Sequence, residues 1–296
     1  MGAIEAFTNA FSLVIRNKRL YLLVLLMSLM MAPLGAYLIP GDIGYEYNQT
    51  SMQKGNVIIE EYGTPIDGNE VDMLIELLKG IIIYSVIALI VGAIFEYGIT
   101  KGVFMHLNGE EYSLGSLMME GLKHFPGVIL INFVYGLIMM VFIGVAAVPI
   151  VLGALFLPAG AVLVLLGIIL IFASVAFALG LSSLAVPFYV DRRSIGAAFE
   201  AFGAAFRNVL STIGFGVLLG VGVIAIMMVA SPIAFVTRMV LPENMALYVS
   251  AFLQAPFDAL LYLFIWTAGV AFYREIQKME ELKKVDEELL ELGIDV

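Results

Sequence analysis

Polar positions are so scarce along this chain that they act as boundaries. Leu20–Leu38 holds no Asp, Glu, Lys or Arg, and Gly80–Thr100 holds only Glu96. Phe125–Val190 runs for 66 residues without a formal charge. A single helix of that length would be about 99 Å long, several bilayers thick, so the segment has to turn. Leu157-Pro158-Ala159-Gly160 supplies the turn. Asn208–Thr237 gives a fifth apolar stretch, expected to end where Ser231-Pro232 interrupts the helix. Asn244–Tyr273, broken only by Asp258, gives the sixth. A transmembrane helix needs about 20 mostly apolar residues, so the pattern predicts an all-α polytopic membrane protein with six spans.

A second periodicity lies inside the first. Ala3–Asn17 (AIEAFTNAFSLVIRN) and Ser194–Asn208 (SIGAAFEAFGAAFRN) align at a constant offset of 191, pairing Ile4 with Ile195, Phe11 with Phe202, Arg16 with Arg207 and Asn17 with Asn208. Ser113–Gly127 joins them at an offset of 81 from Ser194. In all three, positions i, i+4, i+7 and i+11 are apolar or Gly, with Thr8 the one polar exception, which makes one helical face. The chain therefore reads as three pseudo-repeated hairpins in units 1–112, 113–193 and 194–273. Each is expected to begin with an amphipathic helix lying in the cytoplasmic lipid interface.

Composition sharpens this reading. Of 296 residues, 61% are hydrophobic and 14% charged, and mean hydropathy is +1.01. A soluble domain has no interior large enough for that much apolar surface. The net charge of -10 argues against nucleic-acid binding, which needs clustered Lys and Arg. That charge is also localised: the outer loop, residues 41–76, carries eight acids against Lys54, and the tail, residues 274–296, carries eight acids against four bases. The membrane domain 1–273 is otherwise almost neutral. With no cysteine, disulfides and thiolate chemistry are excluded.

Basic residues orient the spans, because Lys and Arg gather on the cytoplasmic side. With the N-terminus inside, twelve of the fifteen fall there, among them Arg16, Lys101, Arg192, Arg193, Arg207 and Arg274; only Lys54, Lys79 and Arg238 fall outside. Both termini are thus expected in the cytoplasm of a cell whose plasma membrane holds the protein. Asn48-Gln49-Thr50 is a candidate glycosylation sequon in the outer loop, and Asn56–Glu60 could form a short strand there.

The opening AFTNAFSLVIRNKRLYLLVLL, the Gly102–Leu117 segment with its Asn108-Gly109-Glu110-Glu111 turn, and VPFYVDRRSIGAAFEAFGAAFRN resemble the uncharacterised six-helix proteins grouped with the membrane domain of glycerophosphodiester phosphodiesterases. The resemblance covers nearly the whole chain and rests on hydropathy and small-residue texture. It implies a membrane architecture and no phosphodiesterase activity, since only about 20 residues follow the sixth span.

Ionisable groups within a bilayer are costly and are functional candidates by default. Glu96, five residues before Lys101, is either a proton- or cation-binding carboxylate in a cavity or one satisfied by Lys101, Arg16 or Arg207. The nearby bases favour the ion pair. Asp258 is mid-membrane if its helix begins near Met245. If the helix begins at Pro256, which suits a first helical position, Asp258 sits in the first turn and offsets the helix dipole. The second reading is preferred; it makes residues 231–255 an outer segment of short helices and Arg238 a partner for Asp258. Asn132, Gln254 and Trp266 are candidate pathway residues. His106 and His124 lack a ligand pattern, so no metal or cofactor is expected, and no Ser, His and Asp set points to an enzyme. Repeated architecture and two scarce acids suggest a transporter or channel-type protein, or a subunit of one, for a small solute or lipid-like molecule. The alternative is a non-transporting scaffold or lipid-interacting protein. The expected partners are the bilayer and a homo-oligomer or membrane-complex subunit.

Overall fold

The computed structural model describes residues 2–39, 68–156 and 158–291. The outer-loop features, including Asn48, the 56–60 segment and most of the acids, lie outside them, as does the end of the tail. The described residues form eight helices and no strand. They are α1 Gly2–Arg16, α2 Lys18–Leu38, α3 Gly68–Leu107, α4 Leu114–Leu155, α5 Ala161–Arg192, α6 Ile195–Arg207, α7 Val209–Val240 and α8 Glu243–Glu291. Six of these, all but α1 and α6, are long and apolar enough to cross a membrane.

The six pair as three hairpins, α2/α3, α4/α5 and α7/α8, whose open ends all lie at one face of the bundle. Lys101, Lys123, Arg192, Arg193, Arg207 and Arg274 stand there; we call it the basic end. Three ion pairs tie elements together at that end: Lys101–Glu120 at 2.7 Å between α3 and α4, Arg192–Glu200 between α5 and α6, and Arg207–Glu280 at 2.5 Å between α6 and α8. Their partly exposed side chains make them registers more than sources of stability. The turn between α4 and α5 falls at the expected place, with Gly153 and Gly160 backbone against backbone; a Cβ on Gly160 would lie 2.1 Å from the Gly153 carbonyl oxygen.

The two short helices end alike. Arg16 ends α1 as Arg207 ends α6, and Lys18 opens α2 as Val209 opens α7. The breaks are made by Asn17 and Asn208, both buried and both outside helical geometry, with φ/ψ of -98/60 and -128/44. Asn208 Nδ2 donates to the Ala204 carbonyl at 3.0 Å, and its Oδ1 accepts from Lys283 Nζ at 2.9 Å. Asn17 Oδ1 accepts from the Tyr112 hydroxyl at 3.0 Å, and burial pushes that phenol's pKa up, which keeps it a donor.

The short helices present their two faces unequally. In α1, Gly2, Ala6 and Ala10 are buried while Ile4, Phe11 and Ile15 are exposed; in α6, five alanines are buried while Ile195, Phe199 and Phe206 are exposed. The predicted apolar stripe is therefore divided: Ile4, Ile15, Ile195 and Phe199 face away from the protein, while Phe11 meets Phe264 at 4.8 Å, Phe202 meets Tyr135 at 4.8 Å and Phe206 meets Phe177 at 5.1 Å. α1 lies lengthwise along α7 and α8: Gly2 abuts Met279 and Ser211, and the Phe7 ring meets Phe264 at 5.8 Å.

Three expectations are corrected. The middle unit has no separate short helix, because α4 runs unbroken from a start capped by Ser113, whose Oγ accepts from Ser116 N–H at 3.1 Å. Position 127, which aligns with Asn208, is a glycine held under Tyr189, so nothing there breaks the helix. α7 does not stop at Ser231-Pro232 but continues to Val240. Proline removes the donor to the Met228 carbonyl, and the Ser231 hydroxyl replaces it at 3.1 Å. Finally, α8 begins at Glu243, so Pro256 is interior, Asp258 lies about four turns into the helix, and residues 231–255 are the abutting ends of two long helices. The same helix carries on into the tail as far as Glu291.

Candidate functional site

Glu96 on α3 and Asn132 on α4 face each other, with Asn132 Nδ2 donating to a Glu96 carboxylate oxygen at 2.8 Å. Both side chains line a cavity of about 220 Å³. α5 contributes Leu179, Ser182 and Ser183, α7 contributes Leu219, Gly220 and Val223, and α8 contributes Ile265 and Trp266. Five of the six long helices thus meet around one carboxylate. The expected ion pair is absent: Lys101 is bound to Glu120, and among the described residues no cation approaches Glu96. Among the described residues the amide of Asn132 is its one hydrogen-bonding partner, so a carboxyl group sits in apolar surroundings without a counter-charge.

Toward the basic end the cavity is closed. The residues next in line on each helix, Tyr97 and Ile99, Val128 and Ile131, Leu184 and Ala185, Phe215, and Ala268 and Val270, are at most 1% exposed. Phe215 stacks on Phe272 at 4.1 Å. His124 stacks on Tyr97 at 4.5 Å, and its Nδ1 lies 3.1 Å from the Tyr189 hydroxyl. His124 is thereby part of an aromatic plug, with no carboxylate within ligand spacing. No group of three potential metal ligands exists among the described residues.

Away from the basic end the cavity opens. One turn further along α3 and α4 stand Gly92 and Gly136, and a Cβ at either would meet nothing within 4 Å. Leu179 at the rim is 37% exposed. Beyond it the helices present long runs of exposed apolar residues, such as Phe133, Leu137 and Met140 on α4 and Val221, Ile224 and Met228 on α7.

Asp258 does not join this site directly, nor does Arg238 pair with it. It lies within electrostatic reach of Tyr84 on α3 and Tyr262 on α8. Tyr262 stacks in turn on Trp266 at 5.5 Å, so Asp258, Tyr262 and Trp266 form one face of α8 that ends at the cavity. Gln254, a turn earlier, has no hydrogen-bond partner among the described residues. Of the basic residues singled out, Lys101, Arg192 and Arg207 are engaged in the ion pairs above, Arg193 forms the left-handed cap of α5 with φ 53, and Arg16 is exposed beside the Asn17 joint.

Sequence reasoning missed Ser182 and Ser183. Their signal was present, as the one adjacent pair of hydroxyl residues in the uncharged Phe125–Val190 stretch. No family model, curated protein or solved structure matches this chain.

Proposed function

We propose that this integral membrane protein is a transporter or channel-type protein, or the membrane subunit of one, that takes a small solute or lipid-like molecule into the cavity at Glu96. The observation that carries the reading is a carboxylate without a counter-charge in a cavity shared by five helices, closed at the basic end and open at the other. Burying such a group costs several kcal/mol in a membrane interior and brings the fold no ion pair in return. The positive-inside rule turns the basic end toward the cytoplasm. Both termini then lie inside a plasma membrane, the cavity opens outward or toward the outer leaflet, and the aromatic plug is the gate that must move. The exposed side chains of α1 and α6, Ile4, Ile15, Ile195 and Phe199, lie against lipid, and the three hairpins act as repeated units around one site. The resemblance to six-helix proteins grouped with phosphodiesterase membrane domains agrees with this architecture. The reading is non-enzymatic.

Uptake into proteoliposomes tests it. A panel of labelled cationic, neutral and anionic small amphiphiles should include at least one that enters saturably, and Glu96→Gln should abolish that uptake. Uptake no greater than in protein-free vesicles, or equal in the variant, contradicts the proposal.

A further inference from the structure

The hydrogen-bonding chemistry of the cavity names the class of its ligand, given that the cavity is the substrate site proposed above. Ser182 Oγ donates its hydrogen to the Leu179 carbonyl at 3.1 Å, and Ser183 Oγ donates to the Gly180 carbonyl at 2.7 Å. Both hydroxyls therefore have only acceptor lone pairs left to offer. Asn132 spends an amide hydrogen on Glu96 at 2.8 Å; its carbonyl oxygen, with no partner among the described residues, is a further acceptor. Glu96, when ionised, accepts only. A carboxylate and three neutral oxygen acceptors, walled by Leu179, Val223 and Ile265, stand beside only two N–H donors, the second amide hydrogen of Asn132 and the Trp266 indole, and no positive charge among the described residues.

The geometry points to an alkylammonium amphiphile as the ligand. Its charged N–H head would bond to Glu96 and the Ser182 and Ser183 oxygens, and its chain would leave past Gly92 and Gly136 into the apolar space between the hairpins. The head supplies the counter-charge that the protein withholds, and a charge-assisted bond out of water is among the stronger polar contacts. A cavity of about 220 Å³ accommodates a head and its first methylenes and leaves the remainder of the chain in the open half. An anionic head would face the carboxylate with only the Asn132 amide and the Trp266 indole, and no positive charge, to offset the repulsion.

The chain contains a single tryptophan, Trp266, and it lines this cavity, so intrinsic fluorescence reports the site. Dodecylammonium is titrated into the full-length protein in phosphatidylcholine nanodiscs, beside dodecanol and dodecyl sulfonate, with phosphatidylethanolamine nanodiscs as a separate arm. The expected result is a saturable change with dodecylammonium alone, weakened roughly ten- to a hundredfold by Glu96→Gln and unaltered by Asp258→Asn. Gly136→Leu, which occupies the opening without touching the carboxylate, should also weaken it. A change that phosphatidylethanolamine produces unaided identifies a lipid headgroup as the ammonium source; one confined to added amine identifies a single-chain amine. Equal responses to the alcohol or sulfonate, or a titration indifferent to both Glu96→Gln and Gly136→Leu, overturn the assignment. Saturable, Glu96-dependent ammonium binding sustains it even where vesicles show no uptake, whereas uptake of neutral or anionic amphiphiles without ammonium binding overturns it and leaves transport standing.

Discussion

The half of the bundle at the basic end and the half away from it are built from the same apolar residues, yet they differ in what those residues touch. From the basic end up to the level of the cavity the hairpins meet one another. A Cβ on Gly121 of α4 would lie 2.2 Å from the Ile94 carbonyl oxygen of α3, one on Gly180 of α5 would lie 2.3 Å from that of Thr212 on α7, and one on Gly216 of α7 would lie 1.8 Å from that of Ala176 on α5. In the other half, backbone approaches of this kind occur within a hairpin, as between Gly153 and Gly160 or Gly80 and Leu38. Between hairpins Gly92 and Gly136 face open space. Apolar side chains gain little from leaving lipid for one another, so close backbone packing holds membrane helices together. The packed half carries the stability, which allows the splayed half to hold a cavity and a costly carboxylate.

Substitutions that add bulk should therefore act in opposite ways in the two halves. Gly216→Leu drives a side chain into the Ala176 backbone, and the loss should exceed about 3 kcal/mol. Its readout is disappearance of the monodisperse species in size-exclusion chromatography after mild heating; an unchanged profile would mean that α5 and α7 do not meet there. Asn208→Ala removes a helix joint and orphans the Lys283 bond, for a cost of about 1–2 kcal/mol. The thermal midpoint of the purified protein measures it, and the equivalent Asn17→Ala should cost a similar amount if the 191-residue offset reflects one repeated device. Gly136→Ala lies in open space and restores helix propensity, so it should raise the midpoint through a stability gain of up to about 1 kcal/mol. A fall would show that α4 is covered there. Lys101→Met breaks a partly exposed pair and should cost well under about 1 kcal/mol at moderate salt, an effect visible only as a small shift that added salt removes.

The spans were readable from the sequence because the bilayer imposes their length and excludes charge between their ends. Their true limits were not, where a single side chain overrode a local rule. The Ser231 hydroxyl repairs the bond that Pro232 deletes, and Pro256 sits inside a helix that already runs from Glu243. Glu96 and Asn132 were readable as candidates since so little else there is polar. Their meeting was not: 36 residues separate them, and the other lining residues come from three more helices. The expected pairing of Glu96 with Lys101 failed because Glu120, which attracted no attention in the sequence, takes that lysine at 2.7 Å. Residues that are near in sequence were weighed against each other, whereas partners are chosen by the packing of hairpins.

The contrast between the halves can be measured directly because the natural chain has no cysteine, so each introduced thiol is read without background. Gly92→Cys, Gly136→Cys and Ser182→Cys line the open half and its cavity, while Val128→Cys and Leu184→Cys lie in the plug. Protein in nanodiscs is treated with a small cationic methanethiosulfonate, and modification is followed by mass. The account predicts rapid modification at 92, 136 and 182, slowed by dodecylammonium at 182, and none at 128 or 184. Equal reactivity in the two groups, or modification of the plug ahead of Ser182→Cys, would contradict it.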